Sequence, residues 1–247
     1  NTAGVGVIPK GVEINARRAR PGDRIIINGY IGDHGAAIVD ARGELAIENS
    51  IETDCQPLNG LVQAMLTTCP DIHCLRDATR GGLATVLNEF ATDSRVALRI
   101  EEQALPVRDE VRGMCEILGL DPLYLANEGK LVAIVPGECA DALLAAMQAH
   151  PAGTESRIIG EVNASPEATV LMSTLFGGER IVDPVHRGFY LKSARILGTG
   201  PDGELLYETY FGKNIGGTYA LLAGEHIYTG TEEMLAYHKD APRDRFA

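Results

Sequence analysis

Tryptophan is absent from the 247 residues, and aromatic residues make up only 5% of them. Positive charge is in deficit: 22 Lys+Arg stand against 34 Asp+Glu, a net charge of −12. That balance excludes broad, sequence-independent nucleic-acid binding, which needs clustered Lys and Arg. No apolar run approaches the roughly 18–20 residues of a membrane-spanning helix, so no membrane partner is expected. Cysteine is sparse and odd in number: Cys55, Cys69, Cys74, Cys115 and Cys139. Five scattered cysteines do not make a disulfide framework, and the opening NTAGVGVIPKG lacks the charged start and apolar run of a signal peptide. A reducing cytoplasm is the expectation. Phosphate-binding G-x-x-x-x-G-K-[ST], the G-x-S-x-G elbow and the H-E-x-x-H zinc pair are all missing.

What is there is an ordinary globular balance, with 45% hydrophobic and 23% charged residues. Wholesale disorder is excluded, and the length suits one large domain or two modest ones. The composition is uneven along the chain. Four of the 13 Phe and Tyr lie in residues 1–184, and nine in residues 185–247. Residues 1–184 carry a net charge of −11 and the remainder −1. A boundary near Pro184 is therefore expected, with one domain over 1–184 and a β-rich segment over 185–247.

Strand and helix patterns interleave in the first part. RIIINGY (24–30) is β-branched and reads as a buried strand. A short helix-like run follows GDHG (32–35). Residues 57–68 place apolar side chains at helical spacing after Pro57. Further strands are expected at 72–76, 96–100, 130–135, 158–162, 168–172 and 180–182. Helices are expected at 83–91, after Pro106 with Gly119 as its stop, and at 138–150. The implied architecture is α+β: a mixed sheet with helices on one side. Asn1–Gly6 reads as the end of a strand cut from something longer. The tail reads as a small β-meander, with strands at 189–197, 204–211 and 218–222, then a short terminal helix capped by Thr229 or Thr231.

Three blocks have the residues for chemistry. In LRDATRGGLATVLNEF (75–90) a strand ends at Asp77, Thr79 follows, and Gly81-Gly82 opens a helix. Paired glycines let the backbone approach a ligand, and a helix start favours an anion such as phosphate. The same glycines also serve turn chemistry alone. In ANEGK (126–130) Glu128 stands before an apolar strand, as a base or as a surface turn. Lys130 suits either a phosphate or a strand-edge gatekeeper. In GDHG, His34 beside Asp33 suits ligand contact, proton transfer or simple capping. Cys69, His73 and Cys74 lack the second knuckle of a zinc site and read as free thiols beside a loop, so no metal ligands are assigned.

Taken in order, NTAGVG, GDHGAAI, DATRGGLATVLNEFA, ALPVRDEVRGMCEILGLDPLYLANEGKLV and IIGEV resemble the HypE hydrogenase maturation factors. These belong to the AIR-synthetase-like (PurM-like) ATP-dependent proteins. The resemblance runs from Asn1 to about Pro184 and implies the family's C-terminal domain, an α+β fold. It implies ATP and Mg2+ as cofactors, HypF and the HypC–HypD complex as partners, and a homodimer. It implies ATP-dependent dehydration of a carbamoyl thioester to a thiocyanate, the source of the cyanide ligand of [NiFe]-hydrogenase. On this resemblance Glu128 and Asp77 are the catalytic candidates. Thr79, Arg80, Gly81, Gly82, Asp33 and His34 are the cofactor-binding candidates.

Two departures from the pattern carry expectations of their own. The family's N-terminal domain, which supplies most nucleotide and magnesium contacts, is not in this sequence. The ending Pro-Arg-x-Cys is not there either, since the chain closes on PRDRFA. The expectation is that this chain alone is inactive. The alternatives are a non-catalytic binding or dimerisation module derived from the domain, and another PurM-like enzyme such as a selenophosphate synthetase.

Overall fold

In the computed structural model, residues 8, 10–41 and 51–183 are described in full, and the strands at 194–199, 205–213, 219–223 and 226–230 by their backbone. The chain divides into two compact units, Asn1–Cys115 with Pro122–Pro184, and Glu116–Asp121 with Val185–Ala247. The expected strand end at Asn1–Gly6 lies outside the described residues.

The first unit is built on a seven-stranded sheet. Its strands are β1 (Arg24–Ile27), β2 (Cys74–Asp77), β3 (Ala97–Glu101), β4 (Leu131–Val135), β5 (Arg157–Asn163), β6 (Thr169–Ser173) and β7 (Glu179–Ile181). They lie in the order β2-β4-β1-β5-β3-β6-β7. Every neighbouring pair is antiparallel except β3 and β6, so the sheet is mixed, as expected. Five helices accompany it among the described residues: α1 (Asp33–Ala41), α2 (Asn59–Thr68), α3 (Gly82–Ser94), α4 (Asp109–Leu118) and α5 (Gly137–Gln148).

Helices on one side is corrected by the packing. Along β1, Ile25 and Ile27 join one core and Ile26 the other. Along β4, Val132 and Ile134 face the first, while Ala133 and Val135 face the second. Successive strand side chains point to opposite faces, so both faces of these central strands are covered. Leu83, Leu87 and Phe90 of α3 seal one face. Leu61 and Met65 of α2, with Leu143 and Met147 of α5, seal the other. Each such fully buried side chain contributes about 1.5–3 kcal/mol.

Local chemistry sets the helix ends that matter for the site. Gly81 and Gly82 take left-handed backbone, φ 74° and 62°, and turn the chain from β2 into α3. Asp109 and Glu110 sit in the first turn of α4, where the helix dipole favours carboxylates. Gly119, at φ 67°, follows its end.

The second unit contains β8 (Ala194–Thr199), β9 (Leu205–Lys213), β10 (Tyr219–Ala223) and β11 (His226–Gly230). These pair antiparallel in chain order, a meander, with Ile196 opposite Thr209, Leu221 opposite Phe211 and Leu221 also opposite Tyr228. Thr229 lies within β11 and caps no helix. Thr231 and the rest of the expected terminal helix lie outside the described residues. Among the described residues no helix is long and apolar enough to cross a membrane.

Candidate functional site

One buried side chain joins the three chemistry-bearing blocks. Asn127, with 0% exposure, stands in the loop before β4. Its Oδ1 accepts from the backbone N–H of Gly32 at 2.8 Å. Its Nδ2 donates to the carbonyls of Ala78 at 2.8 Å and Leu125 at 3.1 Å. Backbone bonds run alongside: Gly35 N–H to Ala126 O at 3.0 Å, Asn127 N–H to Ala78 O at 3.2 Å and Ala78 N–H to Lys130 O at 3.0 Å. GDHG, DATRGG and ANEGK are thus stitched into one region.

Glycine allows the close approach this needs. A Cβ on Gly82 would stand 2.4 Å from Leu123 O and 2.5 Å from Leu125 O. The partner that Gly82 approaches is therefore the chain's own 123–125 turn. A Cβ on Gly129 would stand 1.9 Å from Asp54 O, so a strap over residues 51–56 lies directly on this glycine.

The strap helps to wall a cavity of about 470 Å³, which Asp33, Thr53, Asp54, Cys55, Arg108 and Lys130 line together with Ile51, Glu52, Gln56 and Glu110. Its ionised side chains carry a mild excess of negative charge. Asp33, at the first position of α1, is buried. Its Oδ2 accepts from Arg108 Nε at 3.0 Å, and the Arg108 guanidinium lies 4.2 Å from the centre of the Tyr30 ring. Its Oδ1 is buried with no hydrogen-bond partner among the described residues. Burial raises the Asp33 carboxyl above its ordinary value, and the Arg108 hydrogen bond and charge only partly oppose that.

Lys130 Nζ pairs with Asp54 Oδ2 at 3.0 Å, and both side chains are more than nine-tenths buried. Asp54 Oδ1 accepts the backbone N–H of Glu128 at 2.9 Å. His34 Nδ1 and Thr53 Oγ1 share a hydrogen bond of 2.8 Å, and His34 Nε2 stands 3.8 Å from Glu128 Oε1. Glu128 itself is exposed.

The expected residues thus fall into two groups. Asp33, His34 and Glu128 come together at or beside the cavity. Asp77, Thr79, Arg80, Gly81 and Gly82 do not line it. They form the neighbouring turn, where Thr79 Oγ1 donates to Asp77 Oδ2 at 2.8 Å and Arg80 is exposed. Lys130 is no edge gatekeeper, because β4 is interior to the sheet and the side chain is buried. His73 Nδ1 lies 2.7 Å from Asp23 Oδ2, and the buried thiols of Cys69 and Cys74 are pushed up to about 12 and about 11, chiefly by burial. Asp54, Arg108 and the structural use of Asn127 escape sequence reasoning. Only Asn127 has a legible signal, its place beside Glu128 in ANEGK.

The profile of the AIR synthase related protein, C-terminal domain, matches residues 20–173. The chain belongs to this family. Within the AIR synthase related family it is similar to carbamoyl dehydratase HypE of Azotobacter vinelandii, with 56% identity over 182 residues, 74% of this chain and 53% of that protein. It therefore spans about half the length of the curated relatives it matches. Its structure resembles that of a HypE–HypF complex, at 44% identity and a TM-score of 0.68, covering 71% of this chain and 57% of that one. It also resembles HypE in complex with ATP, at 44% identity and a TM-score of 0.67, covering 70% of this chain and 54% of that one.

Proposed function

We propose that residues 1–184 form the carbamoyl-handling part of a HypE-type carbamoyl dehydratase that serves [NiFe]-hydrogenase maturation. The observation that carries this reading is the Asn127 clamp, which joins Asp33–His34, Glu128 and Asp77–Gly82 around one region. The overall change is R–S–C(=O)–NH2 to R–S–C≡N. The amide nitrogen sheds two protons, and the oxygen leaves on a phosphate taken from ATP. An amide oxygen is a poor leaving group, and phosphorylation makes it a good one.

Glu128 is the proposed base, exposed to substrate and fixed at its backbone by Asp54. His34, 3.8 Å away, is placed to pass a proton on. For the nucleotide the fit is partial: Arg80 and the N-terminal end of α3 would hold a phosphate, with Thr79 beside them. When bound, ATP supplies the phosphoryl group. For magnesium the residues do not fit: among the described residues no three His, Cys, Asp or Glu are grouped to hold a metal, and Asp33 is already paired with Arg108. HypF, present in the complex of the relative, is the proposed partner, with the HypC–HypD complex, a homodimeric state and a cytoplasmic setting as parts of the same reading.

The test is phosphate release by the whole gene product carrying this chain, with ATP and an S-carbamoylcysteine peptide. Release is expected to depend on the carbamoyl group, and E128Q to slow it by about 10²–10⁴. Release indifferent to the carbamoyl group, or unchanged in E128Q, overturns the proposal.

A further inference from the structure

Two cysteines meet on the face of the sheet opposite α3. Cys69 and Cys139 both pack into the second core, whereas Cys74 packs into the first. Neither lines the cavity. Cys69 is the residue on which α2 ends. Its backbone leaves the helical region, φ −131° and ψ 89°, its N–H still reaches Met65 O at 2.8 Å, and Pro70 follows. Cys139 stands in the first turn of α5, just after Pro136 and Gly137, with its N–H on Pro136 O at 2.9 Å. The packing of α2 against α5 thus brings the end of one helix to the start of the other, where the two thiols share a hydrogen bond.

The two sulfurs differ in surroundings. Cys69 is fully buried, and its thiol is pushed up to about 12, by burial first and then by the Cys139 thiol, against a backbone N–H of Asp71. Cys139 is partly exposed. A small oxidant from solvent therefore meets Cys139 first, while Cys69 waits protonated beside it.

We propose that Cys69 and Cys139 are a redox-reversible modification site, at which a hydroperoxide joins them in a disulfide that staples the end of α2 to the start of α5. This stands apart from the proposed reaction. Cys139 first gives its proton to solvent. Its thiolate attacks the peroxide and breaks the O–O bond, forming a sulfenic acid and releasing hydroxide, which takes up that proton as water. The Cys69 sulfur then displaces the sulfenic hydroxyl, and its own proton leaves with that hydroxyl as a second water. The two thiols lose two electrons and the peroxide gains them. A dithiol reductant reverses the bond by exchange. Closing it draws the sulfurs in from hydrogen-bond contact. Both stand at helix ends, where backbone yields more readily than in a helix interior.

The test begins with the unmutated full chain. The reduced protein is treated with hydrogen peroxide, unfolded in an alkylating agent and mapped by mass spectrometry without reduction. The expected product is lighter by two hydrogens, with the Cys69 and Cys139 peptides joined, and a dithiol returns both to alkylation. Dimedone, which traps sulfenic acids, is expected to label Cys139 several-fold more in C69S than in the unmutated chain, because Cys69 no longer intercepts the sulfenic acid. A thermal melt checks that C69S is folded. Recovery of Cys69 as a free thiol while Cys139 is overoxidised overturns the proposal. So does a bond from Cys139 to Cys55 or to a second chain, or a pair left reduced at a peroxide dose that oxidises exposed Cys55. Equal dimedone labelling of Cys139 in the unmutated chain and in folded C69S overturns it as well.

Discussion

Both Nδ2 protons of Asn127 are committed, to Ala78 and Leu125, and its Oδ1 holds Gly32 N–H. Its role is to hold others in place. Replacing it by Leu keeps the volume and orphans buried backbone groups at about 1–3 kcal/mol each. Ala78 O keeps the Asn127 backbone N–H, so Gly32 N–H and Leu125 O are the groups orphaned, and N127L is expected to lose about 2–6 kcal/mol in urea unfolding; a loss below about 1 kcal/mol would contradict the clamp. Asp33 makes a second prediction at this scale, in pH. Its carboxyl is raised by burial, so the folded protein keeps that proton to higher pH than the unfolded chain does. Folding then takes up a proton between the two values. The Asp33 contribution to stability is full below the ordinary carboxylate range and falls as pH rises through the raised value. The stability of the wild type minus that of D33N should decline with rising pH across that acid window. A difference that grows with pH is the contrary result.

Among the elements, the strap over 51–56 and the loop before β4 matter most to the cavity. They meet at Gly129, where the backbone leaves no room for a side chain. G129A must push the strap outward, loosening the Lys130–Asp54 pair and the Glu128–Asp54 bond. Overpacking of this kind costs about 1–3 kcal/mol, and Glu128 would lose its fixed position. Urea unfolding reads the first effect and phosphate release the second; an unaffected G129A would contradict the packing. Most elements were legible from the sequence because local patterns suffice for them. RIII, LVAIV and the spacing of Leu61 and Met65 each declare strand or helix. The helices α2 and α5 were expected at 57–68 and 138–150, but not their place on the face opposite α3; an unbroken apolar strand such as β4 is what burial on both faces produces. The strap was not legible, because residues 51–56 form no regular element and owe their place to contacts far along the chain.

Across the whole molecule, the family resemblance read from five ordered blocks agrees with the profile over residues 20–173 and with the HypE relatives. The site was legible as a set of blocks and not as a geometry. Glu128, His34 and Asp33 carry recognisable local signals, whereas Arg108 reaches Asp33 from 75 residues away and Asp54 reaches Glu128 across 74. Such partners are fixed only when the sheet has brought β1 beside β4. In the proposed function this assembled cluster takes part in turning a carbamoyl thioester into a thiocyanate. The direct measurement is infrared spectroscopy of the whole gene product with ATP and a peptide S-carbamoylated with a 13C-labelled carbon. A nitrile stretch shifted by the label, appearing only with ATP and lost in E128Q, is the predicted result. An unchanged carbamoyl band in the presence of bound ATP, or a nitrile band undiminished in E128Q, would contradict it.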